Sequence, residues 1–227
     1  MSARRAIRDN ALSLFFLALF VLALVGQSIA GFARNNAELA DHGRPPLGFG
    51  EFVTSSDFLV DVAENWQSEF LQFFLFIAAT IWLVQRGSPE SKKPGDQGPG
   101  SDSDQLVGAH ASPDSPRWAR AGGWRAAVLG NSLLIVMGAV FALSWFAQSL
   151  GGVVVMNEEN AMHGAAPIGW LDYVVSPDFW DRTLQNWQSE FLAVGTMVAF
   201  SIYLRQRGSA ESKPVGAPHH ASAVESE

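Results

Sequence analysis

The chain has 227 residues, of which 48% are hydrophobic, and its formal net charge is −7. This acidic balance argues against a nucleic-acid partner, because binding nucleic acid requires a basic surface. The chain contains no Cys, which excludes disulfides, thiolate catalysis and lipid attachment through cysteine. The apolar residues are gathered into four blocks, and polar segments separate these blocks.

The first apolar block runs from Ala11 to Phe32, after a polar start that carries three arginines. About 20 apolar residues cross the hydrocarbon core of a bilayer as a helix, so this block predicts a transmembrane helix. A secretory signal peptide is the alternative, since Ser28-Ile29-Ala30 has the small residues of a cleavage site. A similar segment recurs in mid-chain, where no signal peptide could lie, and this recurrence favours the transmembrane helix.

Residues 33–64 are polar and have the glycines and prolines of a loop, and their last part predicts a short amphipathic helix capped at Ser55-Ser56-Asp57. The second apolar block follows, from Phe70 to Val84. The third and fourth blocks run from Ser132 to about Gly152 and from Phe191 to Leu204. The linker between the two pairs of blocks is rich in Gly, Pro, Ser and Asp. It cannot bury enough apolar surface to offset chain entropy, so we expect it to be disordered.

An internal repeat relates the two halves of the chain. The heptad Asn65-Trp66-Gln67-Ser68-Glu69-Phe70-Leu71 returns unchanged 121 residues later, beginning at Asn186. Other motifs recur at the same offset without a gap, which indicates a duplication. The predicted domains are a first repeat at 1–86, a disordered cytoplasmic linker at 87–124, a second repeat at 125–208 and a disordered tail at 209–227.

Each repeat contains two apolar blocks, so both repeats enter and leave the membrane on the same side and have parallel topology. A pseudo-two-fold axis along the membrane normal is expected to relate them. Of the 15 Lys and Arg residues, 12 lie at the amino end, in the linker or in the tail, and the positive-inside rule places both termini in the cytoplasm. The predicted fold is all-α: an integral membrane protein with four transmembrane helices from two tandem two-helix repeats.

Four motifs carry a family resemblance: Gln-Ser-Ile-Ala-Gly after an apolar run, His-Gly-x-x-Pro, the heptad, and Gln-Arg-Gly-Ser-x-Glu-Ser-Lys. In these motifs the chain resembles a family of uncharacterised bacterial membrane proteins that is described only as a domain of unknown function. The resemblance covers nearly all of both repeats and leaves out the linker and the tail. It implies no activity, cofactor or site residue.

The candidate site is a polar cluster at the outer edge of the membrane. The tryptophan of the first heptad and Trp82 are 16 residues apart, or about 24 Å along a helix, which fits the two interfaces of a bilayer. Glu69 and Glu190 then lie about one turn below the outer interface. Antiparallel pairing within each hairpin brings Gln27 and Gln148 to their depth. The cluster comprises Asn65, Trp66, Gln67, Ser68, Glu69, Asn186, Trp187, Gln188, Ser189, Glu190, Gln27 and Gln148.

Two interpretations of this cluster are open. In the structural one, the glutamates hold each hairpin together through hydrogen bonds and the tryptophans anchor it at the interface. In the functional one, Glu69 and Glu190 line a polar cleft that binds a cation or a proton. His42 and His163 are weaker candidates for a metal site, because one His per repeat in a Gly/Pro-rich loop is more often a turn residue than a ligand. We expect no metal and no cofactor.

We expect a non-enzymatic protein of a bacterial inner membrane that acts as a structural, scaffold or accessory subunit. The alternative is a small transporter or channel that uses Glu69 and Glu190, and an enzyme ranks third. The expected partner is the lipid bilayer, with other membrane proteins or a second copy of the chain as further candidates.

Reporter fusions test this topology. Fusions after Gly98 and at the carboxyl end should report the cytoplasm, and fusions near Gly48 and Gly169 should report the outside, because each repeat crosses the membrane twice. Alkaline-phosphatase activity and fluorescent-protein folding distinguish the two sides. If the Gly98 and Gly48 reporters lie on the same side, the four-span topology is wrong.

Overall fold

The computed structural model describes residues 3–222, and all regular structure in that range is helical. This confirms the all-α prediction. Residues 1–2 of the predicted first repeat and 223–227 of the predicted tail lie outside the described residues. In chain order the helices are α1 Ala3–Asp9, α2 Ala11–Asp41, α3 Phe49–Val53, α4 Ser56–Trp82, α5 Arg117–Ala121, α6 Gly123–Gly130, α7 Ser132–Met162, α8 Trp170–Val174 and α9 Pro177–Phe200, with a 3₁₀ turn at Gly108–His110.

Within residues 3–222, two helices, α2 and α7, are long and apolar enough to cross a membrane. Both extend well beyond the predicted apolar blocks, to Asp41 and Met162. Little of their most apolar stretches is buried inside the protein. Apolar surface of this extent is typical of contact with lipid or with a partner. The two helices support a membrane protein, although two such helices alone are weak support.

Helices α4 and α9 contain the polar heptad. The amphipathic helix and the second apolar block, which were predicted separately, form the single helix α4 because no Gly or Pro lies between them. The polar residues of the heptad interrupt the apolar sequence of both helices, so neither helix has an uninterrupted apolar run as long as that of α2 or α7. In α9 the helix ends at Phe200, and Ser176 and Pro177 begin it, with Ser176 Oγ accepting from the Phe179 N–H at 3.3 Å.

The chain divides into two compact units, and the first comprises residues 1–62 and 150–167. Its centre is the buried Phe52 of α3, whose ring centroid lies 6.1 Å from that of Phe32. The same ring lies so close to Gly31 that a Cβ added there would approach it to 2.9 Å. The short helix α3 is therefore held against α2 by ring contacts that leave no room for a side chain.

The second unit comprises residues 63–149 and 168–227. In it, Trp145 of α7 stacks on Phe179 of α9 with the ring centroids 5.9 Å apart. The Trp145 Nε1 also donates to Thr183 Oγ1 at 3.3 Å. Stacked aromatic pairs contribute about 0.5–1.5 kcal/mol beyond their buried area. Trp145 thus fastens α7 to α9 by both a ring contact and a hydrogen bond.

The Gln-Arg-Gly-Ser-x-Glu-Ser-Lys motif forms the same turn after α4 and after α9. The Gln85 N–H donates to Ser91 Oγ at 2.7 Å, and the Gln206 N–H donates to Ser212 Oγ at 2.9 Å. Gly87 has a φ of +88°, in the left-handed region that favours glycine. Both helices therefore end in a turn that the side chains of the motif close.

Lys213 ties the residues after α9 to the turn after α4. Its side chain is buried, and its ammonium donates to the carbonyl oxygens of Gly87, His219 and Ala221. Burial, and then the charge of Arg205, lower the pKa of Lys213 below its ordinary value.

Residues 87–116 form turns around the one 3₁₀ segment. The disorder expected of the linker and the tail stays a prediction.

Glu90 and Glu211 occupy the same position in the two turns, and their carboxyl groups lie close enough to interact. Burial, and then the hydrogen bond and charge of Glu211, raise the pKa of Glu90 above its ordinary value of 4.5. A carboxyl whose pKa is raised by folding stabilises the protein below its ordinary pKa. That contribution is lost as the pH rises through the raised pKa.

We therefore expect Glu90→Gln to raise the midpoint of thermal unfolding at pH 7 more than at pH 4, because the amide mimics the protonated carboxyl. Differential scanning fluorimetry in detergent at the two pH values measures the difference. Asp96→Asn, at an exposed carboxylate nearby, is the control and should show no such pH dependence. A midpoint that falls at pH 7 and rises at pH 4 would contradict this account of the pair.

Candidate functional site

A cluster of polar groups in the second unit surrounds the Glu64 carboxylate of α4. The Glu64 side chain is 15% exposed, and its Oε1 accepts from Arg182 Nη1 of α9 at 3.1 Å. The Arg182 Nε also lies 3.4 Å from Asp178 Oδ2. Asp178 in turn accepts a hydrogen bond from Tyr173 Oη at 3.3 Å. Burial, and then the charge of Asp178, raise the pKa of Tyr173 to about 12, so the phenol stays a donor.

Two buried glutamines extend this cluster. Gln148 Nε2 of α7 donates to Glu64 Oε1 at 3.5 Å, at the long limit for a hydrogen bond. Gln67 Oε1 of α4 accepts from Trp187 Nε1 of α9 at 2.7 Å. Each amide keeps one buried atom without a partner among the described residues, Gln67 Nε2 and Gln148 Oε1. Polar side chains thus connect α4, α7 and α9, and the connections leave one donor and one acceptor unmatched.

The structure gives the twelve predicted cluster residues unequal surroundings. Gln148 has Glu64 as its hydrogen-bond partner, and its predicted position at the depth of Glu190 stays a prediction. Gln27 lies on α2 in the first unit, so its predicted proximity to Glu69 stays a prediction. The exposed members are Asn65, Trp66, Glu69, Gln188 and Ser189; the half-buried ones are Gln27, Asn186, Trp187 and Glu190; the buried ones are Gln67, Ser68 and Gln148.

The two identical heptads are not equivalent in burial. Gln67 and Ser68 of the first heptad are buried, whereas Gln188 and Ser189 of the second are exposed. Both serines donate to the carbonyl three residues earlier, at 3.0 Å in the first heptad and 2.8 Å in the second. The local bonds therefore repeat, while the contacts with other helices do not.

Glu69 and Glu190, at the fifth heptad position, approach each other closely enough for the charge of Glu69 to act on Glu190. Glu69 is exposed and Glu190 is half-buried. Two ionised carboxylates that interact in this way repel each other.

His42 and His163 bond to the ends of the helices that precede them. The Nδ1 of His42 lies 2.9 Å from the Glu38 carbonyl oxygen, and the Nδ1 of His163 lies 2.9 Å from that of Glu159. Histidines in this position satisfy the last carbonyls of a helix. Among residues 3–222, no group of three or more His, Cys, Asp or Glu side chains is placed to hold a metal ion.

The sequence matches a family, described as a domain of unknown function (DUF6766), over residues 3–224. The chain belongs to this family. The match runs through the linker and most of the tail, which the resemblance in the motifs left out. No curated protein and no solved structure matches the DUF6766 chain.

Sequence reasoning missed Glu64, Arg182 and Thr183. Arg182 is not part of the motifs that recur 121 residues apart, because Asp61 occupies the matching position in the first half of the chain. That departure was the available signal. Arg182 pairs with Glu64. An aspartate at position 182, as at the matching position 61, could not form this ion pair. Glu64 directly precedes the first heptad and lies outside it, because Gln185 occupies the matching position before the second.

The unequal burial of the heptads predicts unequal effects of the same substitution. Gln67→Ala removes the acceptor of the Trp187 indole and leaves a buried gap, so we expect a loss of about 2 kcal/mol in the free energy of unfolding. Gln188→Ala, at the same heptad position on the surface, should stay within about 0.5 kcal/mol of the wild type. Denaturant unfolding in detergent measures both. Equal losses at the two positions would contradict the asymmetry.

Proposed function

We propose that the protein is a non-enzymatic, four-span protein of a bacterial inner membrane, built from two tandem repeats, that serves as a structural, scaffold or accessory subunit. One observation carries this proposal: the polar side chains at the heart of the second unit bond one helix to another. Glu64 is engaged by Arg182, and Gln67 is engaged by Trp187. Side chains committed to such bonds specify how helices pack and are not free to act on a substrate.

The helix bounds support the duplication. Helices α2 and α7, and likewise α3 and α8, begin and end 121 residues apart, and α4 and α9 begin 121 residues apart. Local bonds recur at the same offset: Asn10 Nδ2 and Asn131 Nδ2 each donate at 2.8 Å to the carbonyl four residues earlier. The two histidine caps recur in the same way.

Contacts between α4 and α9 support a parallel arrangement of the repeats. The charge of Glu69 acts on Glu190, and beyond the helix ends Glu211 interacts with Glu90. Each member of these pairs stands at the repeat position of its partner. Residues close to a two-fold axis contact their own equivalents. The two pairs are therefore what a pseudo-two-fold axis running between parallel α4 and α9 would produce.

The four-span arrangement gives the bonded heptads a physical reason. After the heptad's Glu, the helical apolar run is Phe70–Trp82 in α4 and Phe191–Phe200 in α9, or about 20 and 15 Å at 1.5 Å per residue. The hydrocarbon core is about 30 Å thick, so part of each heptad lies within it. Polar groups at that depth must face protein or water, and Gln67, which is buried and accepts a hydrogen bond from Trp187, faces protein.

Transport is the second candidate function. Its supporting observation is the proximity of Glu69 and Glu190, with Glu69 exposed. A small transporter or channel would bind a cation or a proton between these carboxylates. In both proposals the partner is the lipid bilayer, and the subunit proposal adds another membrane protein or a second copy of the chain.

Substitution of both glutamates separates the two functions. In the subunit proposal, wild-type protein in proteoliposomes shows no proton or cation flux, and the Glu69→Gln, Glu190→Gln double variant loses at most about 1 kcal/mol per site, because interhelical polar contacts in membranes average below that. The Leu double variant at the same sites is the control for the loss of hydrogen bonding. Flux in the wild type that the equally stable Gln variant abolishes would establish transport instead.

A further inference from the structure

A cavity of about 420 Å³ opens along the last turns of α9, in the second unit. One wall is an apolar row formed by Ala193, Met197, Phe200 and Leu204. Their spacing of three or four residues places them on one side of the helix and the turn that follows. All four side chains are exposed in the described structure. The row is an apolar surface that no described part of the chain covers.

Arg205, the residue after Leu204, also lines the cavity and brings a positive charge to it. Its Nη1 donates to the carbonyl oxygen of Ile202 at 3.0 Å, and its Nη2 donates to that of Ala217 at 3.2 Å. These bonds hold the guanidinium in place. The Arg205 Nε is buried and has no hydrogen-bond partner among the described residues, which leaves an unmatched charged donor. The first repeat has Val84 at this position, so the charge belongs to the second repeat alone.

Glu211 also lines the cavity and supplies the opposite charge. Its carboxyl group interacts with that of Glu90. The cavity therefore combines an apolar row with a cation and an anion. A ligand that matches it has an apolar tail, a negative group and a positive group.

We propose that this cavity binds one aminophospholipid, with an acyl chain along the apolar row, the phosphate at Arg205 and the ammonium at Glu211. The inference rests on the membrane location proposed above. An anionic phospholipid satisfies Arg205 but leaves Glu211 without a positive partner, and a fatty acid lacks the ammonium. Charge-assisted bonds to phosphate and to ammonium select the zwitterionic headgroup over both. Residues just beyond a span, on its basic side, lie at the depth of lipid headgroups.

Native mass spectrometry of the full chain, delipidated in mild detergent, tests the proposal with phosphatidylethanolamine and phosphatidylglycerol as probes. The wild type should hold one phosphatidylethanolamine and bind phosphatidylglycerol roughly tenfold more weakly, the change expected for one lost charge-assisted contact. Ala193→Trp should weaken phosphatidylethanolamine roughly tenfold by filling the cavity. Ala199→Trp, the same change at an exposed position of α9 outside the cavity lining, should leave binding unchanged.

Headgroup variants test the two charges separately. Arg205→Gln should weaken both lipids, whereas Arg207→Gln, an exposed arginine two residues away, should weaken neither. Glu211→Gln should abolish the preference for phosphatidylethanolamine over phosphatidylglycerol. Because Arg205 also holds backbone carbonyls, its variant could fail to fold, and the Ala193→Trp result then decides the question.

Equal binding of the two lipids by the wild type would overturn the proposal, and so would unchanged lipid binding by Ala193→Trp. A third contrary outcome is a wild-type dimer that Ala193→Trp dissociates, because it would place a second copy of the chain on the apolar row. If the proposed four-span topology is wrong, the result is different, because the reporter fusions at Gly98 and Gly48 would then lie on the same side of the membrane. A protein that passes the reporter test and shows no lipid preference would refute the lipid site alone.

Discussion

The Glu64 carboxylate is largely removed from water, and the cost of burying an unpaired charge constrains the helices around it. Arg182 of α9 supplies the countercharge, and Gln148 of α7 supplies a further donor. The three helices must therefore pack in the register that brings these groups together. The stacking of Trp145 on Phe179 fixes the same register through apolar contact. Polar and apolar contacts agree, which is what a single packed arrangement requires.

This constraint also accounts for the different burial of the two identical heptads. Arg182 lies 121 residues after Asp61, so the two matching positions carry opposite charges. The ion pair of Arg182 with Glu64 therefore has no equivalent at the matching position. Around it, Gln67 of the first heptad is buried against Trp187 of the second, while Gln188 faces outward. Two identical stretches of sequence thus lie in different surroundings. The buried residues of the first heptad join helices, and Gln188 of the second is exposed.

The ends of α4 and α9 obey a second, more local constraint. The carbonyl groups at the end of a helix need donors. After α4 the Gly98 N–H donates to the carbonyl oxygen of Ile81, and after α9 Arg205 Nη1 donates to the carbonyl oxygens of Ser201 and Ile202. Lys213 supplies donors to carbonyl groups beyond the helices, at Gly87 and Ala221. The cavity at the end of α9 results from this arrangement, because the charged groups are held beside an apolar row of the helix.

The sequence by itself determined the helical blocks, the repeated motifs and the start of α9, because each depends on residues within a few positions of one another. The continuity of α4 was within reach, because no helix-breaking residue interrupts it. Only the tertiary structure decided which polar groups meet. Arg182 and Glu64 lie 118 residues apart in the chain, and an ion pair depends on distance in space, which helix packing sets.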